Sequence, residues 1–224
     1  MNIHRIYGLL LPRFRRRRME LFARWFPGPG LRVLDVGGTA FNWAFLERPQ
    51  RVSLVNVLPY RPGPGVTLPF AFADGRELPF ADGEFDVVFS NSVIEHVGTR
   101  AAQERFAAEC RRVGRGYFVQ TPDRRFPVEP HLLTPFVHWL PRGLQGRLIR
   151  NFTVRGLLSR PSREWCARFM EDVHLLGARE MHQLFPDGEL VVERFLGLSK
   201  SLIAVKPLDG PRGDGRAARG GEPA

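Results

Sequence analysis

The side chains of this chain that could do chemistry recur at intervals, each just after a run of apolar residues. Asp35 leads into Gly37 and Gly38; Asn56 lies in the run Arg51–Val57; Asp74 and Gly75 follow Val66–Ala73. Ser90-Asn91-Ser92 and then Glu95-His96 follow Phe85-Asp86-Val87-Val88-Phe89, and Thr121-Pro122-Asp123 follow Gly116–Gln120. Paired glycines admit a ligand to backbone amides where a Cβ would intrude. Carboxylates and amides offer hydrogen bonds to a ligand's amines and hydroxyls. Beyond the fifth run, Glu129 and His131 stand in "FPVEPH". A histidine with a pKa of about 6.5 suits removal of a proton from an acceptor near neutral pH, with Glu129 as the second candidate base. Each position also has a plain structural use. Asp35 could cap a helix, Asp74-Gly75 could be a turn, and His96 and His131 could be packed and hydrogen-bonded.

Groups placed in this way need a frame that gathers them at one edge. Strand-like runs alternate with helical stretches, the pattern of βαβ units and a parallel sheet. In open sheets of this kind ligands bind beyond the carboxyl ends of the strands, where the strand order reverses. The pattern predicts strands over Arg32–Val36, Arg51–Val57, Val66–Ala73, Phe85–Ser90 and Gly116–Gln120, with helices over Phe41–Arg48 and Arg100–Arg112. A helix over Val173–Phe185 and a strand pair, Leu190–Phe195 with Ser201–Val205 around Gly197, complete it. From Thr121 to about Arg163 the alternation fails. Residues 121–165 therefore read as an insertion or lid on the acceptor side, since loops this long are usually functional.

Residues 1–30 read as a basic amphipathic helix, with Phe14, Leu21, Phe22, Trp25 and Phe26 on one face, stopped by Pro27-Gly28-Pro29-Gly30. Residues 31–207 form the main domain, and 208–224, without apolar anchors, are expected to be disordered. With 43% hydrophobic residues, the 224-residue chain has material for a core without disulfides or metal. Cys110 and Cys166 lie in no CxxC spacing and read as free thiols of a reducing compartment. The net charge of +10, almost all arginine, suits phosphate, nucleic acid or an anionic membrane surface. No apolar run approaches membrane-spanning length, and the short apolar piece before the arginines is the reverse of a secretory signal. A cytoplasmic location is expected, with peripheral contact to an anionic membrane or a phosphorylated substrate through the Arg-rich N-terminus.

On Ala73–Val97, "ADGRELPFADGEFDVVFSNSVIEHV", the sequence resembles the class I S-adenosylmethionine-dependent methyltransferases, and within them the group called methyltransferase type 11. The signature is an Asp before Leu-Pro-Phe, then Phe-Asp-Val-Val and a Glu-His pair. The likeness covers residues 31–121 well and the last strand pair loosely. It implies a Rossmann-like, doubly wound, mostly parallel seven-stranded sheet with an antiparallel terminal strand, and S-adenosyl-L-methionine as cofactor. It also implies that Gly37 and Gly38 face the methionine part, Asp35 holds its amino group, and Asp74 with Gly75 takes the adenine. Asn91 and His96 would line the same pocket. Two departures stand out: Thr39 and Phe41 occupy places where the family keeps glycines, and Asn56 replaces the carboxylate that takes the ribose hydroxyls. Charged hydrogen bonds contribute about 1.5–3 kcal/mol against about 1 for neutral ones, so Asn56 would weaken binding by about tenfold. No metal is expected, because adjacent Glu95 and His96 would diverge on a helix.

The reading is thus a methyltransferase acting on an O or N atom of a small-molecule or lipid- or sugar-linked acceptor. The alternatives are a non-catalytic scaffold that kept the fold, suggested by Thr39, Phe41 and Asn56, and an RNA methyltransferase, suggested by the charge. Against the latter, no Asn-Pro-Pro-Tyr stands after the fourth strand, where Ser90-Asn91-Ser92-Val93 is found. A nicotinamide enzyme is disfavoured by the missing G-x-G-x-x-G.

Overall fold

In the computed structural model the described residues are 3–46, 50–57 and 68–208, with side chains from Arg13 onward. Seven strands form one sheet: β1 (Arg32–Val36), β2 (Arg51–Asn56), β3 (Phe70–Phe72), β4 (Phe85–Asn91), β5 (Gly114–Pro122), β6 (Glu189–Phe195) and β7 (Leu198–Lys206). Their spatial order is β3-β2-β1-β4-β5-β7-β6. The first five run parallel, while β7 is antiparallel to both β5 and β6. The order reverses between β1 and β4, which opens a crevice at their carboxyl ends.

Both faces of the central strands are buried, so their sequences are near-continuous apolar runs. Side chains alternate across a strand. Leu34, Val36, Val88, Tyr117 and Val119 therefore pack with Phe106 and Cys110 of the helix α3 (Arg100–Val113) and with Met181 of the helix α7 (Ala178–Leu184). Val33, Val87, Phe89 and Phe118 pack on the other face with Met19, Phe22 and Phe26. Met19 and Phe22 belong to α1 (Ile3–Trp25), the predicted N-terminal helix. Its buried face is narrower than expected: Phe22 and Phe26 are in the core, while Phe14 sits edge-on to Phe195. One residue of the arginine run is also buried. The Arg18 guanidinium donates to Glu193, Asn91 and Gln120, tying α1 to the ends of β4 and β5 and to β6.

Several element boundaries differ from expectation. The helix after β1 is one short turn, α2 (Ala40–Trp43), and residues 47 and 48 of the predicted helix lie outside the described ones. Of the third predicted strand, 66 and 67 lie outside them too, and only Phe70–Phe72 pair with β2. α7 starts at Ala178 rather than at Val173, for a local reason. His174 N–H donates to the Glu95 carbonyl and the Leu176 carbonyl accepts from Arg124 N–H, so 173–176 is held extended until Glu180 caps at Gly177. Residues expected to be disordered from 209 to 224 are outside the described set.

The stretch after β5 carries its own helices, α4 (Arg142–Phe152), α5 (Val154–Ser159) and α6 (Arg163–Asp172), with a short ribbon pairing Val128–Glu129 to Thr134–Pro135. Leu132, Val137, Ile149 and Cys166 make a separate small core there. Both cysteines are free and buried. No helix among the described residues is long and apolar enough to cross a membrane.

Candidate functional site

A cleft of about 580 Å³ lies at the carboxyl ends of β1, β2 and β4. Gly37, Asn56, Val57, the Asp74–Arg76 turn, Ser92, Val93 and His96–Gly98 line it, and Asp172 reaches it from the end of α6. A second recess, of about 440 Å³, lies near Arg32, Arg51 and Phe85, at the amino ends of the same strands. The polar residues that follow the strands are absent from its wall, so the first cleft is the candidate site.

The glycine turn is set by close contacts. Gly37 has φ +77°, and a Cβ there would lie 2.5 Å from Cγ2 of Val93. A Cβ on Gly38 would fall on the Asp35 carboxylate, 1.9 Å from Oδ2. Asp35 is therefore directly beneath the turn. Fully buried, it does not line the cleft; its Oδ2 accepts from Trp43 Nε1 at 2.8 Å and its Oδ1 has no partner among the described residues. Burial pushes its carboxyl up to about 7, against the Trp43 hydrogen bond and the charge of Arg15. Asn56 does line the cleft, but its Nδ2 donates to the Gly38 carbonyl at 2.8 Å and so fastens the turn to β2. Asp74 is on the wall as expected, beside Gly75. Arg76 donates to both its oxygens, at 2.9 and 2.5 Å, and this pairing holds the Asp74 carboxyl below its usual range.

Asn91 is on the other side of the sheet end, where its Oδ1 accepts from Arg18. It does not line the cleft. Ser92 does, with φ +57° and its Oγ donating to Gln120.

The Glu-His pair and the post-β5 residues converge. His96 opens onto the cleft, and its ring stands edge-on to His131, with centroids 4.7 Å apart. Glu129, buried, holds His131 Nδ1 at 2.6 Å and accepts from Leu132 N–H. Glu95 is fully buried; Oε2 accepts from Thr121 Oγ1 at 2.9 Å, while Oε1 has no partner among the described residues. Burial alone would lower the His131 pKa, yet Glu129 and Glu95 together hold it above its ordinary value. Enclosure and the neighbouring His131 push His96 the other way. The expected divergence of Glu95 and His96 assumes a regular helix, whereas Ile94–His96 is a 3-10 turn. Ligand-type atoms of Glu95, His96 and His131 all lie within 4.8 Å of one another, a group able to hold a proton or a cation.

Of the residues singled out from sequence, Gly37, Asn56, Asp74, Gly75 and His96 share the cleft, and Glu129 and His131 abut it through His96. Gly38 and Asp35 form the floor beneath. Two contributors escaped the sequence reading: Arg18, hidden in a run of arginines, and Asp172, which no motif marks.

Comparison with known proteins adds to this geometry. Residues 53–119 match the family described as methyltransferase domain. A protein of Encephalitozoon cuniculi (strain GB-M1) that bears a methyltransferase name is 52% identical over 40 residues, 18% of this chain and 19% of that relative. Among solved structures, the Burkholderia thailandensis 1,6-didemethyltoxoflavin-N1-methyltransferase, with 1,6-didemethyltoxoflavin and S-adenosylhomocysteine bound, superposes with a TM-score of 0.54. It is 16% identical, over 87% of this chain and 79% of that one. The PH0226 protein of Pyrococcus horikoshii OT3 gives a TM-score of 0.54 at 15% identity, over 88% and 90% of the two chains. At such identities the likeness is one of fold.

Proposed function

We propose that this chain, a methyltransferase-domain protein of the class I fold, binds S-adenosylmethionine in the cleft and transfers its methyl group to an O or N atom of a small-molecule acceptor, free or linked to a lipid or sugar. One observation carries the reading: a glycine-turned cleft at the topological switch point meets, through His96, a histidine held by a buried carboxylate. The fit to the cofactor rests on Gly37, where a Cβ would crowd Val93, and on the polar wall of Asn56, Asp74 and Gly75. When bound, the cofactor supplies an electrophilic methyl group on a sulfonium.

The chain's own part is positioning and proton handling. Methyl transfer is a displacement, so holding donor and acceptor in line supplies much of the acceleration. Where the acceptor is a hydroxyl or a protonated amine, His131 takes its proton at Nε2, with Nδ1 fixed by Glu129. The negative charge of Glu129 stabilises the imidazolium that results, while full burial pushes the nearby Glu95 carboxyl up toward its neutral form. Asp35 acts from beneath the turn, through the backbone it supports.

For the setting of the reaction we favour the cytoplasm, beside an anionic membrane face or on a phosphorylated acceptor. Arg13, Arg16 and Arg17 of α1 are exposed. From Pro130 to Arg163 the chain has six arginines and no acidic residue. Calorimetric titration with S-adenosylmethionine and S-adenosylhomocysteine tests the whole reading. Micromolar binding weakened about tenfold by Asp74→Ala supports it, and transfer of labelled methyl to candidate acceptors follows. No heat at millimolar ligand leaves the scaffold reading in its place.

A further inference from the structure

We infer that Asp172, the last residue of α6, supplies the carboxylate that faces the sulfonium of the methyl donor, so that the insertion makes the cleft select the charged donor over its neutral product. This rests on the cofactor reading above.

The argument begins from an inventory of negative charge. A sulfonium in this cleft needs an anion nearby, because an uncompensated charge is costly to desolvate. The strand ends do not provide one in the cleft: Glu95, after β4, is fully buried, off the cleft wall and pushed toward its neutral form by burial. Asp35 is walled off beneath Gly38. Asp74 is paired with Arg76, and both line the cleft, so together they bring little net charge. Asn56 is neutral, and its amide is engaged by the Gly38 carbonyl. Asp172 also lines the cleft; it is exposed, and it makes no salt bridge among the described residues. It lines the cleft together with His96, whose ring meets His131, and its charge favours the protonated forms of both His96 and His174. The His96 end is where a methyl group would pass to an acceptor.

Two features indicate that its position is held. Ser162 caps the start of α6, and Cys166 anchors the helix in the small core with Ile149. Two residues beyond Asp172, His174 N–H donates to the Glu95 carbonyl at 2.8 Å, pinning the helix end to the turn that carries His96. Helix energetics do not favour a carboxylate at this position. An acidic group in the last turn meets the negative end of the helix dipole, which opposes it.

S-adenosylmethionine and S-adenosylhomocysteine share adenine, ribose, amine and carboxylate, and differ by the methyl and its charge. The test is therefore titration of the full chain and of Asp172→Asn and Asp172→Glu with both ligands. Asp172→Asn is expected to raise the Kd for S-adenosylmethionine by about tenfold and that for S-adenosylhomocysteine by less than about threefold, with Asp172→Glu near the unsubstituted chain. The melting temperature of Asp172→Asn should be unchanged or higher, since the dipole conflict is relieved. Equal weakening for both ligands, or none, overturns the inference while the cofactor reading stands. Absence of binding by the unsubstituted chain overturns the cofactor reading first.

Discussion

On the strand side of the cleft the polar groups are already bonded within the protein. Asn56 holds Gly38, Arg76 holds Asp74, Trp43 holds Asp35, and Arg18 gathers Asn91 and Gln120 behind them. On the insertion side the groups keep capacity. Glu95, in the turn after β4 that the insertion packs against, leaves one buried oxygen without a partner among the described residues, Asp172 makes no salt bridge among them, and the Glu129–His131 pair abuts the cleft through His96. The strand side is rigid scaffolding whose internal bonds fix the shape of a binding surface. The insertion side holds the charges and the movable proton. Substitutions of the residues behind the wall on the first side should therefore read mainly as stability, those on the cleft wall itself, such as Asp74, also as donor affinity, and those on the second side mainly as rate or selectivity.

The largest departure from that division would come from Arg18. Truncation to Ala leaves Glu193 as an unpaired carboxylate in a half-buried setting and strands Asn91 and Gln120, so denaturant unfolding should show a loss of about 3 kcal/mol or more. Donor affinity of the folded fraction should change little; a large drop in affinity at unchanged stability would break the comparison.

On the other side, His131→Ala is expected to lower kcat by about a hundredfold to ten-thousandfold with the donor Kd and the melting temperature nearly constant. Single-turnover methyl transfer measures this. The pH profile sharpens it. Because Glu129 and Glu95 raise the His131 pKa, the rate should fall as pH drops through a value above about 6.5. Glu129→Gln should move that acid limb to lower pH, an effect that a purely structural His131 would not show.

The smallest effect, and the most diagnostic of the strand side, belongs to Asp35. Its folded-state carboxyl titrates at about 7, above its ordinary value of 3.8. The folded state therefore binds the proton more tightly than the unfolded chain, and stability is lost as pH rises from about 4 to about 7. Asp35→Asn should be near neutral at pH 4 and more stable than the unsubstituted chain at pH 8, by about 2 kcal/mol. Unfolding at the two pH values checks it. Equal stability at pH 8 would show that Oδ1 finds a partner in solution.

Much of this was legible in the chain itself. Apolar runs ending in polar residues gave the five parallel strands and the edge at which Asn56, Asp74 and His96 gather, because burial on both sheet faces demands such runs. The short terminal hairpin was equally plain. Asp35 shows where that reading stops. An acid after a strand looks like a ligand, but the pleat turns it toward Trp43 under the glycine turn, and only packing reveals that. Arg18 carried no signal in a run of arginines. The insertion gave no alternation because its helices pack on Leu132, Ile149 and Cys166 rather than on the sheet.

Local pattern determined the fold class and the strand-end groups, since periodicity and turn chemistry act over a few residues. Tertiary structure alone decided that His131 meets His96, that Glu95 keeps an oxygen without a partner among the described residues, and that Asp172 reaches the cleft. Those contacts join segments far apart in the chain, and they exist because the insertion's small core and its hydrogen bonds at Glu95 and Arg124 close it against the sheet's edge.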